Sequence, residues 1–171
     1  MIDLSTKAAD STASPLAALL RVEPLTPEAV ADLQLGDFLS FRLTSTANAL
    51  SRQASNQLRP YGLALPEWRT LATTGAYEPL TAAELGRRTY MDRGLVSRTL
   101  KLLTEAGLIE RKGKGRNTPL RLTPRGRALY EEVLPRARER QRRLLAALSV
   151  EERTALYSAL EKLRLLADGE G

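Results

Sequence analysis

Between Leu80 and Thr123 the spacing of apolar residues changes from a helical period to a strand period, and this change limits the possible folds more than any other feature. The first part of the segment has apolar residues three or four positions apart. Residues 108–111 and 120–123 instead alternate between apolar and polar positions, which is typical of short strands. The segment therefore predicts a helix-turn-helix followed by a β-hairpin.

Capping residues locate the two short helices of this segment. Thr81 and Glu84 have the spacing of a capping box, and Asp92 is a favourable N-cap for the second helix. Gly107 stands where a left-handed residue ends a helix. The second helix is expected to bury three apolar residues at helical spacing, namely Val96, Leu100 and Leu103.

Longer helices are predicted on both sides of the segment. One runs from about Gly36 to about Arg59 and is ended by Pro60, and its apolar stripe is wider than a single packing partner needs. Another begins at Pro66 and ends at Gly75. Two more helices follow Thr123-Pro124 and a second capping box, 149–152.

Positive charge is concentrated in the same segment. From Thr81 to Arg127 there are 12 Lys and Arg residues against four Asp and Glu residues, whereas the remaining chain carries 14 against 16. A compact unit with a net charge of +8 is typical of a protein that binds double-stranded DNA.

The composition excludes several classes of function. The chain has no Cys and no His, which removes disulfides, thiol redox sensing, Cys/His metal sites and His-dependent nucleophiles. The adjacent acids at 131–132 and 151–152 diverge on a helix surface, so no enzyme is expected, and neither is a cofactor or a metal. No apolar run can span a membrane and no signal peptide is visible, so a cytoplasmic protein is expected.

The helix that begins after Asp92 is the predicted reading element. Its outward residues are polar or small, and they are Arg93, Gly94, Ser97, Arg98 and Lys101. Arg can bind guanine with two hydrogen bonds, and Ser can bind a base or a phosphate. The tip of the hairpin adds three cations suited to phosphate or minor-groove contact, namely Lys112, Lys114 and Arg116. The alternative is a solvated helix face and a charged surface turn.

The segment resembles the winged helix-turn-helix of MarR-type regulators. The resemblance is carried by MDRGLVSRTLKLLTEAGLIER and GRNTPLRLTPRGRAL, and extends upstream to LRPYGLALPEWRTLATTG. It covers about residues 36–167. The family pattern Asp-x-Arg in the wing is matched by Arg116 but not by Lys114, so the ion pair within the wing is not expected here.

The resemblance implies a mainly α fold with a small β-hairpin wing and a helical dimerisation layer. Residues 1–34 are predicted to form an N-terminal extension, partly disordered because residues 1–14 are small and polar, and a dimerisation helix is predicted over 35–64. The DNA-binding lobe is predicted over 65–123 and the C-terminal dimerisation helices over 124–168. The resemblance also implies a homodimer, and the alternative is a monomer. The twofold symmetry of a dimer predicts a pseudo-palindromic operator.

The resemblance also implies a small-molecule effector, often an aromatic or phenolic acid, in a crevice beside the dimerisation layer. Candidate ligand contacts are Phe38, Arg42 and Trp68. For Arg42 the alternative is an ion pair with Asp37, Glu67 or a carboxylate of the partner chain, and for Trp68 it is a place in the core. The expected function is a ligand-released repressor, or alternatively a ligand-independent architectural protein or activator that binds DNA.

Overall fold

The structure is a computed structural model, which describes residues 16, 20–21, 23–111, 113 and 118–169. The described residues form helices and one antiparallel hairpin, in the order α1 (Pro27–Ala31), α2 (Leu39–Leu58), α3 (Leu65–Tyr77), α4 (Ala82–Thr89), α5 (Arg93–Glu105), β1 (Ile109–Arg111), β2 (Leu120–Leu122), α6 (Pro124–Ala146) and α7 (Val150–Gly169). Single 3-10 turns over Leu35–Asp37 and Arg59–Tyr61 flank α2. The predicted mainly α fold with a small β-hairpin is confirmed.

The chain divides into two compact units, residues 1–54 and 55–171, so the division falls within α2. The described part of the first unit contains α1 and most of α2. The second unit contains α3 to α7 and the hairpin. Among the described residues no helix is long and apolar enough to cross a membrane.

The predicted starts of α4, α5 and α7 are confirmed by their capping contacts. At α4 the Thr81 amide donates to Glu84 Oε2 at 2.6 Å, and the Glu84 amide donates to Thr81 Oγ1 at 3.2 Å. Thr81 Oγ1 also donates to Glu84 Oε2 at 2.8 Å. The hydrogen bonds from the Thr81 backbone, the largest cause, and from the Thr81 hydroxyl favour the carboxylate and lower the pKa of Glu84. At α5 the Leu95 amide donates to Asp92 Oδ1 at 2.8 Å. A reciprocal Ser149–Glu152 box begins α7.

Two predicted helix boundaries are wrong. The helix expected from Gly36 begins only at Leu39, because a 3-10 turn comes first and Phe38 has an extended ψ of 128°. The helix expected to end at Gly75 continues to Tyr77. A Cβ at Gly75 would lie 3.0 Å from Leu122 Cδ1 and 3.1 Å from the Tyr130 ring, so this glycine serves close packing rather than termination.

The core of the second unit lies between the helices of the helix-turn-helix, α3, the hairpin and α6. The three predicted inward residues of α5, Val96, Leu100 and Leu103, are all buried. The hairpin contributes Ile109 and Leu120, which is also bridged to Leu80, with the Leu120 amide donating to the Leu80 carbonyl at 2.8 Å. The wing strands are thereby attached to the segment that enters α4.

One carboxylate holds the base of the hairpin against α3 and α6. Glu78 Oε2 accepts a hydrogen bond from the Leu122 amide at 2.6 Å, and Glu78 Oε1 pairs with Arg127 Nη2. Arg127 Nη1 also donates to the Gly75 carbonyl at 3.3 Å. The second strand therefore has fixed contacts at its end nearest α6.

Candidate nucleic-acid interface

Helix α5 has one buried face and one polar exposed face. The buried face is apolar except for Thr99. All five outward residues predicted from the sequence are exposed, namely Arg93, Gly94, Ser97, Arg98 and Lys101. The structure thus places the predicted set on one accessible surface, where hydrogen-bond donors can face the edges of bases in a major groove.

The Arg98 guanidinium lies towards the N-terminal end of α5. A Cβ on Gly94 would lie 3.3 Å from Arg98 Nη1 and 3.1 Å from Asp92 Oδ1, so the small residue leaves room for this guanidinium. Helical side chains lean towards the preceding turn, which accounts for the direction. In helices that read DNA, the N-terminal turns are those that contact bases, and the contact of Arg98 with guanine stays a prediction.

Lys101 has different surroundings. Its Nζ lies 3.9 Å from Glu105 Oε1, one turn further along α5, and both side chains are more than half exposed. Such an exposed pair contributes little, so Lys101 can exchange this carboxylate for a phosphate at small cost.

The hairpin tip predicted to contact DNA, Lys112, Lys114 and Arg116, lies outside the described residues. Their contact with DNA stays a prediction. The described base of the hairpin carries Arg111 and Arg121, both exposed, and Arg121 is opposite Glu110 in the antiparallel register.

A groove of about 830 Å³ runs between α4 and α5 beside the predicted reading face. Its floor includes Met91, Val96 and Leu100, and its cationic side chains include Arg87 and Arg111 as well as two predicted residues, Arg93 and Lys101. Arg87 and Arg111 were not predicted as contacts. Both arginines lie in the basic segment of the sequence, but only the fold shows that they line this groove.

The turn between α4 and α5 contains a second feature that the sequence did not reveal. Tyr90 has a left-handed backbone with φ of 53°, and its side chain is 74% exposed. A position of this kind usually takes Gly or Asn, so its residue type did not indicate the turn geometry. Nearby, the Arg88 guanidinium lies 4.1 Å from the centre of the Tyr77 ring.

The predicted ligand contacts occupy separate units. In the first unit Phe38 is 46% exposed, and Arg42 Nη2 lies 3.2 Å from Asp37 Oδ1. An ion pair with Asp37 was the predicted alternative to a ligand contact for Arg42, and the structure contains this pair. In the second unit Trp68 is half-buried against the core and stacks with Tyr130, with ring centres 6.3 Å apart. A ligand role for these three residues stays a prediction.

Comparison with known proteins identifies similar chains among transcriptional regulators. A model of the MarR family matches residues 61–116. The HTH-type transcriptional repressor Rv2887 of Mycobacterium tuberculosis is 32% identical over 128 residues, which cover 73% of this chain and 92% of that protein.

Solved structures agree with the sequence comparison. A MarR/EmrR family transcriptional regulator from Acinetobacter sp. ADP1 superposes with a TM-score of 0.74 at 27% identity, covering 80% of this chain and 99% of that one. The Mycobacterium tuberculosis MarR family protein Rv2887 in complex with salicylic acid gives a TM-score of 0.56 at 31% identity, covering 78% and 98% of the respective chains.

Proposed function

Because this chain belongs to the MarR family of DNA-binding transcriptional regulators, we propose that it is a homodimeric repressor that leaves a pseudo-palindromic operator when a small aromatic acid binds. The observation that carries the proposal is the α5 surface. Its opposite face is buried, and it presents Arg93, Ser97 and Arg98 from a segment with a net charge of +8. Phosphate attraction and base contacts are then available from one rigid element.

The unpartnered apolar residues of α7 support a dimer. The structure describes the whole of this helix, and none of its residues is buried. Leu156 and Leu160 are each 42% exposed, and Leu165 and Leu166 are 58% and 59% exposed. Exposed leucines on one long helix favour burial against a second copy. Two copies would present two α5 helices to successive major grooves of one operator.

The small molecule chosen to test the ligand part of the proposal is salicylate, because a relative has been crystallised with it. Rv2887 has been crystallised with salicylic acid, and that chain is 31% identical to this one. Salicylate carries one carboxylate and one aromatic ring, the groups for which Arg42, Phe38 and Trp68 were predicted. A ligand that prefers a dimer with wrongly spaced reading helices shifts the population away from the DNA-bound state.

The test is the affinity of the purified chain for the DNA upstream of its own gene, measured by fluorescence anisotropy with and without salicylate. An unrelated duplex of equal length is the control. We expect preference for the upstream duplex and a weaker affinity when salicylate is present. Equal affinity for both duplexes at every salt concentration would remove the repressor proposal.

One observation favours a second candidate, a DNA-binding architectural protein or activator without a ligand. Arg42, the proposed partner of a ligand carboxylate, already pairs with Asp37. Thermal unfolding across a panel of aromatic acids separates the two candidates, because a ligand of the native state raises the midpoint. An unchanged midpoint together with operator preference favours the second candidate.

A further inference from the structure

The end of α5 is attached to the start of α6 by hydrogen bonds to three successive carbonyls. Arg125 Nη1 donates to the Ala106 carbonyl at 3.1 Å, and Thr123 Oγ1 donates to the Gly107 carbonyl at 2.6 Å. The Thr123 amide donates to the Leu108 carbonyl at 3.1 Å. These three carbonyls belong to the residues that follow α5, since the helix's own carbonyls at 102–104 already accept the amides of Ala106, Gly107 and Leu108. The start of α6 therefore holds the turn that leaves α5.

A single hydroxyl serves both helices. Thr123 Oγ1 accepts a hydrogen bond from the Gly126 amide at 3.0 Å, which caps α6, while it donates to the Gly107 carbonyl beyond α5. The left-handed turn at Gly107, with φ of 67°, is therefore bonded directly to the cap of the next long helix.

The junction has no free space. A Cβ on Gly126 would lie 1.9 Å from the carbonyl oxygen of Leu108, a backbone atom that cannot rotate away. The first turn of α6 thus rests on the same peptide group that accepts the Thr123 amide. A tight contact of this kind transmits displacement, because packed interiors have low compressibility.

We propose that Thr123, Arg125 and Gly126 form a joint that sets the orientation of α5 from that of α6, and that they are positioning residues for base recognition. The inference rests on the proposed function, since it takes α5 as the reading helix. Helix α6 continues to Ala146, about 35 Å from the joint at 1.5 Å per residue. A change in the tilt of α6 therefore changes the orientation of α5 through the joint.

The joint has a specific consequence for DNA binding. Base contacts need donors within hydrogen-bond distance of fixed acceptors, whereas attraction to phosphates tolerates movement. Loosening the joint therefore lowers affinity for the operator and leaves affinity for unrelated DNA unchanged. A purely structural role would lower both affinities together through loss of folded protein.

Thr123→Val is the test, because valine removes the hydroxyl at nearly equal volume, and Thr123→Ser is the control that keeps it. The chain has no native cysteine, so spin labels at Glu105→Cys and Glu132→Cys report the distance between α5 and α6. Labelled chains are diluted with unlabelled chains to isolate distances within one copy. We expect a narrow distribution for the native chain and for Thr123→Ser, and a broad one for Thr123→Val.

DNA affinity is measured on the unlabelled proteins with an operator and an unrelated duplex at one salt concentration. We expect Thr123→Val to lower the ratio of the two affinities by about tenfold, equivalent to the loss of one base contact. If Thr123→Val changes neither the distances between the spin labels nor the ratio of the two DNA affinities, the proposed joint is wrong. If the native chain itself shows no operator preference, the proposed function fails, and the label distances alone then decide whether the joint exists.

A second variant covers the case in which Thr123→Val does not fold. Arg125→Ala removes the bond to the Ala106 carbonyl together with one charge, and Arg138→Ala, an exposed position further along α6, removes an equal charge without that bond. We expect only Arg125→Ala to broaden the distance distribution and lower the affinity ratio. If the two variants have the same distance distribution and the same affinity ratio, any effect comes from the lost charge, and the proposed joint is wrong.

Discussion

Arg98 and Lys101 show at the scale of single residues why two cations on one face of α5 are expected to act differently. Arg98 has a planar guanidinium beside Gly94, near the N-terminal end of the helix. Lys101 lies nearer the C-terminal end, where Glu105 is its neighbour. Guanidinium geometry suits paired acceptors on guanine, whereas a flexible ammonium suits a phosphate.

We expect Arg98→Ala to weaken operator binding by about 1–3 kcal/mol and to relax preference at one base pair, because a two-pronged contact is lost. Lys101→Ala is the matched control, and we expect it to weaken binding to all duplexes alike and to reduce the salt dependence by about one ion per copy. Anisotropy titrations against operator variants at several salt concentrations measure both effects. The assignment is wrong if Arg98→Ala lowers affinity for every duplex equally.

Gly126 gives a second prediction at this scale. We expect Gly126→Ala to lower the free energy of unfolding by about 3 kcal/mol, at the upper end of overpacking costs, because the clash is with backbone. Gly36→Ala is the control, since nothing lies within 4 Å of the added Cβ, and we expect a change within about 0.5 kcal/mol. Urea unfolding measures both. Equal stability of the two variants would contradict the close contact with Leu108.

At the scale of elements, the residues that start helices could be predicted because each cap is formed by neighbours in the chain. Thr81 and Glu84 are three positions apart, as are Asp92 and Leu95, so short spacings along the chain predict both caps. Gly75 was misassigned because the same residue type ends helices and allows close packing. Only the positions of Leu122 and Tyr130 distinguish the two uses.

The capping box of α4 predicts a pH dependence. The folded pKa of Glu84 lies below its ordinary value of 4.5, so its contribution to stability is present above that value and is lost as the pH falls through the folded pKa. We therefore expect the difference in Tm between the native chain and Glu84→Gln to be constant near neutral pH and to shrink below 4.5. Circular dichroism melts over a pH series measure it. A difference that stays constant into acid would show that the carboxylate charge has no part in the cap.

At the scale of the whole molecule, the exposed leucines of α7 support the proposed dimer, which would present two copies of α5 to one operator. A single chain leaves these side chains in water at a cost of about 1.5 kcal/mol each. Burial in a twofold interface removes that cost in both copies at once. Oligomeric state and operator binding should therefore change together.

We expect the double variant Leu156→Asp/Leu160→Asp to be monomeric and to lose operator binding. Four leucines across the interface contribute roughly 6 kcal/mol, which corresponds to a rise in the dimer Kd of about 10⁴-fold. Ser158→Asp, an exposed polar position on the same helix, is the control and should remain dimeric. Light scattering over a concentration series measures the mass. A native chain that is monomeric at every concentration would contradict the dimer.

The order of helices and strands and the location of the basic segment could be read from residues close together in the chain, because capping, helical period and charge density are local properties. Contacts between distant residues could not be read in this way. Glu78 reaches Leu122 and Arg127, and Arg125 reaches Ala106, across gaps of 19 to 49 residues. The attachment of the reading helix to α6 is of this second kind, because hydrogen bonds between segments depend on how packed elements meet, which spacing along the chain does not encode.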